Sequence, residues 1–237
     1  DRMNVTVGGE LSERQACASL FAGKDADSRK GIKLAKDEVE QALKAVQADL
    51  YVKDDALKRL IDNLIYAVQN SKIASKKEAA MLIAHLAQNS GSFQFKTEQY
   101  CVVNNGANMK GCMGAYGGNY YGRGYIQMAT KGNYEAISKA VFKEEPDRLL
   151  KYPEMVAEDD CVNWRVAIAF WELNVHSVDG VKDGKFGRSI KAVNPPDCTV
   201  NTHKQNAVNR LAHYKKVLAA FGIDEKEADV SDCDNLK

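Results

Sequence analysis

The chain has almost no surplus of either charge: across 237 residues, 33 Lys and Arg stand against 32 Asp and Glu. A balanced surface gives no electrostatic reason to bind a polyanion, so nucleic acid is not an expected partner. Basic runs of five or six residues are missing, and Lys76-Lys77 and Lys215-Lys216 read as helix-face pairs. No apolar stretch approaches the roughly 20 residues needed to span a bilayer, so no membrane partner is expected either. The opening residues, Asp1 to Gly9, are small and polar and lack the apolar region of a signal peptide, which fits a cytosolic chain or a mature secreted one. Internal repeats, low-complexity tracts and Cys-x-x-Cys pairs are also absent.

That last absence turns the six cysteines away from zinc and redox chemistry and toward disulfides. Cys17, Cys101, Cys112, Cys161, Cys198 and Cys233 form an even set. Secretion is therefore expected, and Asn4-Val5-Thr6 offers a glycosylation sequon at Asn4. Six cysteines permit fifteen pairings, and sequence alone does not choose among them. Cys101 and Cys112 bracket a Gly- and Asn-rich stretch, which suits a local bridge. Cys198 and Cys233 flank the last strong helix, and that choice would leave Cys17 with Cys161. The histidines (His85, His176, His203, His213) show no metal-ligand spacing, so no metal and no cofactor is expected.

Apolar periodicity reads as helix almost throughout. Residues 30 to 50 place Ile32, Val39, Leu43, Val46 and Leu50 on one stripe. A second helix runs from about Asp54 to Gln69, with Leu57, Leu60, Ile61, Leu64, Ile65 and Val68 at helical spacing. A third opens on Ser75-Lys76-Lys77-Glu78, a capping box, and continues to Gln88. From Asn89 to about Gly124 the chain is rich in Gly, Asn, Ser and aromatics and reads as a long functional loop. Helical pattern returns near Asn133, again from Met155 to Leu173, where Trp164, Ile168 and Trp171 share a face, and finally from Lys204 to Phe221, with Val208, Leu211, Leu218 and Phe221 inward. Asp179 to Asp197 reads as a Gly- and Pro-bearing connection. The architecture is mainly α.

Tyr120-Tyr121-Gly122-Arg123-Gly124-Tyr125-Ile126-Gln127 resembles the signature of the glycoside hydrolase family 19 chitinases, Tyr-Tyr-Gly-Arg-Gly-Pro-Ile-Gln or a near variant. Asn133-Tyr134, Tyr152-Pro153-Glu154-Met155-Val156, Ala169-Phe170-Trp171, Ala192-Val193-Asn194 and Asn209-Arg210 through Tyr214-Lys215 follow in the family's order. Upstream, Leu82 to Phe93 aligns without gaps on Phe-Leu-Ala-Gln-x-x-His-Glu-Ser-x-Gly-Phe. The likeness covers about residues 78 to 237, and the residues before 75 carry no placeable motif. It implies a lysozyme-like, bilobal helical fold with a Gly-rich loop and at most short strands around a cleft. A divergent amino-terminal helical region, 1–75, and a family-like domain, 76–237, would together make one compact unit.

Hydrolysis with inversion needs one carboxylic acid to protonate the leaving oxygen and one carboxylate to activate water. The resemblance puts the base position on Glu98. The acid position falls on Asn89, and an amide has no proton to donate at ordinary pH. General acid catalysis alone is worth roughly 10² to 10⁴ in rate. A hydroxyl that would help hold the water is replaced by Ala129, with Thr130 adjacent. The family pattern further implies sugar contacts from Gln127, Asn133, Asn194 and Arg210, with Tyr121 near the cleft and Arg123 either touching ligand or bracing the loop. The expected function is a secreted chitinase-like protein that binds β-1,4-linked N-acetylglucosamine polymers, chitin or peptidoglycan, with hydrolysis absent or strongly reduced. Two alternatives stand beside it: an active endochitinase or lysozyme-like enzyme using Glu98 with a relocated partner, and a structural matrix protein without sugar binding.

Overall fold

A computed structural model describes residues 17–22, 26–47, 49 and 51–237. Asn4 and Leu50 lie outside them. Helices dominate, and strand pairing among the described residues is limited to isolated bridges, Thr97 with Arg123, Arg123 with Met128 and Lys185 with Asp229. The chain is therefore mainly α, as its periodicity implies.

Three long helices stand in the first part of the described chain: α1 (Lys36–Val46), α2 (Asp54–Gln69) and α3 (Lys76–Asn89). The first is shorter than its apolar stripe. Gly31 and Ile32 instead donate backbone hydrogen bonds to Gln69 and Ile73, so tertiary pairing holds them out of the helix. Helix α3 is buried on every side from Glu78 to Ala87, which makes it the central element. Its Ser75 cap forms, accepting from the Glu78 N–H at 3.2 Å. The reciprocal half of the capping box does not. The Glu78 carboxylate turns inward, where Trp171 Nε1 donates to it at 2.9 Å and His176 Nδ1 lies 2.6 Å away.

The stretch from Asn89 to Gly124, expected as one loop, contains two short helices, α4 (Gln99–Gly106) and α5 (Met109–Tyr116). Asn104 and Asn105 take left-handed φ values of 54° and 57°, which kink α4; asparagine tolerates that conformation better than most residues. Then come α6 (Lys131–Val141), α7 (Arg148–Lys151), α8 (Met155–Glu158) and α9 (Asp160–Asn174). The helix expected from Met155 to Leu173 is thus broken at extended Asp159, whose carboxylate accepts from Val162 N and caps α9. The expected connection from Asp179 to Asp197 contains α10 (Phe186–Val193) and the start of α11 (Pro196–Thr199). Helix α12 (Lys204–Ala220) packs against α3 and α1. Val208, expected inward on it, is 40% exposed, and Leu211 is half-buried; Ala207, Arg210 and Tyr214 take the inner face instead.

One apolar cluster runs through the described chain, from Phe21 and Leu34 to Phe221 and Cys233, with Trp164 and Trp171 inside it. A separate small cluster contains Cys101, Cys112 and Tyr121, with Val102, Met109 and Tyr116 packed against it. The disulfides are Cys17–Cys161, Cys101–Cys112 and Cys198–Cys233. Beyond the last bridge, Asn235 donates to the carbonyls of Asp197 and Val200 and ties the tail to α11.

Candidate functional site

The site gathers around the tight turn 122–128, which closes on itself through paired Arg123 and Met128 backbones. Asn89, the last residue of α3, reaches one side of this turn, and Glu98 reaches the other. The Asn89 amide donates from Nδ2 to Ile126 O at 2.8 Å, and its Oδ1 accepts from Arg210 Nη2 at 2.8 Å. Because a guanidinium only donates and a carbonyl only accepts, the amide orientation is fixed by its neighbours. The position calls for one donor and one acceptor. A carboxamide supplies both, and so would a protonated carboxylic acid. An ionised carboxylate would leave Ile126 O without its donor.

Arg210 is the hub of a buried network. Its Nε donates to Asp197 at 2.8 Å, Nη1 lies 3.1 Å from His85 Nδ1, and Nη2 meets Asn89. His85 Nδ1 must therefore accept, which places the ring proton on Nε2, 2.8 Å from Ser189 Oγ; Ser189 in turn donates to Phe186 O. Burial first, then the Arg210 charge, holds the His85 pKa well below the usual imidazole value, so the ring is neutral. For Asp197, burial pushes upward, but hydrogen bonds and charge from Arg210, with help from Asn206 and Asn194, outweigh it and keep the carboxyl below the ordinary range. Asn194, a sugar-contact candidate, spends its amide nitrogen on Asp197 at 2.9 Å.

On the other side, Glu98 Oε2 accepts from the Gly122 N–H at 2.7 Å and Oε1 accepts from the Tyr116 hydroxyl at 2.8 Å. Glycine leaves room for this contact, since a Cβ at Gly122 would stand 2.7 Å from Gln127 Oε1 and 3.1 Å from Glu98 Oε2 and would push those side chains aside. Gln127 sits at φ 55°, a strained value for a side-chain-bearing residue, and donates to Gly124 O. Arg123 is buried: its guanidinium bonds Asn119 and the Tyr134 hydroxyl and stacks 3.8 Å over the Tyr121 ring, which makes it a brace of the turn. Asn133 donates to Ala129 O, and Ala129 is half-buried. The neighbouring Thr130 caps α6 by accepting from Asn133 N at 3.3 Å, so its hydroxyl is committed to the helix start.

The turn thus unites Asn89, Glu98, Tyr121, Arg123, Gln127, Ala129 and Asn133, while Arg210 joins directly at Asn89 and Asn194 joins through Asp197 and Arg210. Sequence reading missed His85, Ser189 and Asp197 as members of the network, and Tyr116 as the partner of Glu98. Two concavities among the described residues lie elsewhere. One of about 430 Å³ is lined by residues such as Lys36, Val52 and Leu57, and one of about 590 Å³ by residues such as Phe21, Arg59 and Trp164. Glu98 also lies near Cys101 and Cys112, but both sulfurs are spent in a disulfide and cannot ligate a metal.

Residues 63–227 match the chitinase class I family, and the chain belongs to that family. Endochitinase CHI of Arabidopsis thaliana is 33% identical over 156 residues, covering 63% of this chain and 53% of that protein. Chitinase 4 of Oryza sativa subsp. japonica is 33% identical over 160 residues, covering 63% and 50% respectively. The chain spans about half the length of the curated relatives it matches. Among solved structures, chitinase C from Streptomyces griseus shares the fold at TM-score 0.57 and 22% identity, covering 82% of this chain and 95% of that one.

Proposed function

We propose that this family member binds β-1,4-linked N-acetylglucosamine polymers outside the cell and hydrolyses them weakly or not at all. One observation carries the reading. At the acid position, the Asn89 carboxamide fills both hydrogen-bonding roles its surroundings offer and holds no transferable proton. Its neighbours do not replace it: Arg210 does not give up a proton in proteins, and His85 is neutral and turned toward Ser189. Glu98 keeps the base position. Tyr121, Gln127 and Asn133 line the turn that would meet sugar, whereas Arg123 and Arg210 act as framework behind it. Family membership and the names of the relatives support a chitin-type ligand, and three disulfides support an extracellular setting.

The test is a matched pair of assays on one sample. Chitin beads should retain the protein, with negligible release of reducing ends. In Asn89→Glu, reducing-end release should rise by at least tenfold, toward the roughly 10² to 10⁴ that an acid catalyst contributes. Robust wild-type hydrolysis, or no gain in Asn89→Glu, would instead favour a relocated acid. Peptidoglycan in parallel decides the polymer. Absence of binding to both would leave a structural role.

A further inference from the structure

Glu98 has a partner outside the family signature, and that partner rides on a separate piece of the molecule. Tyr116 ends α5, and its hydroxyl donates to Glu98 Oε1 while the Gly122 N–H holds Oε2. Two donors on two oxygens fix both the position and the plane of a carboxylate. Each oxygen still has lone-pair capacity for a water or a sugar hydroxyl. Tyr116 reaches this place because α4 begins immediately after Glu98, kinks at Asn104 and Asn105, and is clipped to α5 by Cys101–Cys112. The two half-cystines and Tyr121 form the small cluster on which Tyr116 packs, apart from the main core.

We propose that Tyr116 is a positioning residue for Glu98, delivered by the disulfide-clipped α4–α5 arm. The proposal rests on Glu98 occupying the base position, as argued above. Burial, followed by the hydrogen bond and charge of Glu98, raises the Tyr116 phenol to about 12, so it remains a donor throughout the pH range in which the site could work. The coupling is reciprocal: removing the Glu98 charge must ease ionisation of Tyr116.

Tyrosine ring-labelled NMR titration tests the pair directly. The chain has ten tyrosines, and Tyr116→Phe identifies the resonance in question by its disappearance. In the wild type that resonance should titrate near 12. In Glu98→Gln, and in Cys101→Ala/Cys112→Ala, its midpoint should move toward the ordinary tyrosine value of about 10. An unchanged midpoint in Glu98→Gln overturns the proposal; an unchanged midpoint in the double-cysteine variant alone overturns the role of the clip. Kinetics supply a second readout. Adding Tyr116→Phe to Asn89→Glu should lower kcat roughly 10- to 100-fold, as misplacement of a reacting group does, with KM held within about twofold. A change confined to KM overturns positioning. If Asn89→Glu shows no hydrolysis at all, the reading of position 89 fails, and the titration still judges Tyr116 by itself.

Discussion

The two sides of the turn 122–128 are held by opposite means. Asn89 belongs to the long central helix α3 and is tied through Arg210 into a buried network on α12, inside the main core. Glu98 belongs to a short, kinked arm over a small satellite cluster, where a disulfide and a phenol do the holding. The first side is anchored in a buried network whose charges are paired. The second is anchored only locally. It follows that damage on the Asn89 side should spread through the fold, whereas damage on the Glu98 side should stay near the site.

The largest effect should come from Arg210→Met. Leaving buried Asp197 without its guanidinium, with only Asn194, Asn206 and His203 beside it, should cost up to about 3–5 kcal/mol, seen as a lower denaturant midpoint at unchanged slope. A loss under about 1 kcal/mol would erase the contrast between the two sides. Cys101→Ala/Cys112→Ala comes next. Opening a loop with a separation of 11 residues should cost about 3 kcal/mol at most in the chain-entropy account. Amide exchange should quicken mainly over 99–116, and quickening in α3 or α12 would contradict a local arm.

The pH response sharpens the comparison from the Asn89 side. His85 is neutral when folded but takes a proton below about 6.5 when unfolded, so its contribution is complete above that pH and lost as pH falls. The slope should approach about 1.4 kcal/mol per pH unit below that point. His85→Gln keeps an acceptor for Arg210 and should flatten this limb. Asp197 adds a separate acid limb: its stabilisation is present above about pH 4 and is lost as pH falls through its depressed folded value. The smallest effect should be Tyr116→Phe, about 0.5–1.5 kcal/mol for one hydrogen bond, measured by equilibrium unfolding.

Much of the frame was legible because helices advertise themselves locally. Leu57, Leu60, Ile61, Leu64 and Val68 repeat at the helical period, and α2 spans the expected residues. The signature turn was legible because its residues are consecutive. Reading failed where a distant partner overrode a local rule. The spacing Ser75-x-x-Glu78 points to a capping box, yet Trp171 and His176, more than ninety residues away, claim the Glu78 carboxylate. Apolarity points Val208 inward, although α12 buries the charged Arg210 instead, and a hydrophobic pattern does not register a charge whose counter-ion lies on another element. The α4–α5 arm was hidden because Gly and Asn content favours loop, while the disulfide closing it is not a property of any single window. Tyr116, in the same stretch, carried no signal that set it apart from its neighbours.

The tail after Cys233 is also part of this machinery. Asn235 grips the backbone of Asp197, whose side chain steadies Arg210, which in turn orients Asn89. A protease that nicked the peptide after Asp234 would cut nothing at the turn 122–128, yet it would release the Asn235 link of a relay that leads to the amide facing Ile126. Asn235 is thereby a remote fastening for the turn 122–128.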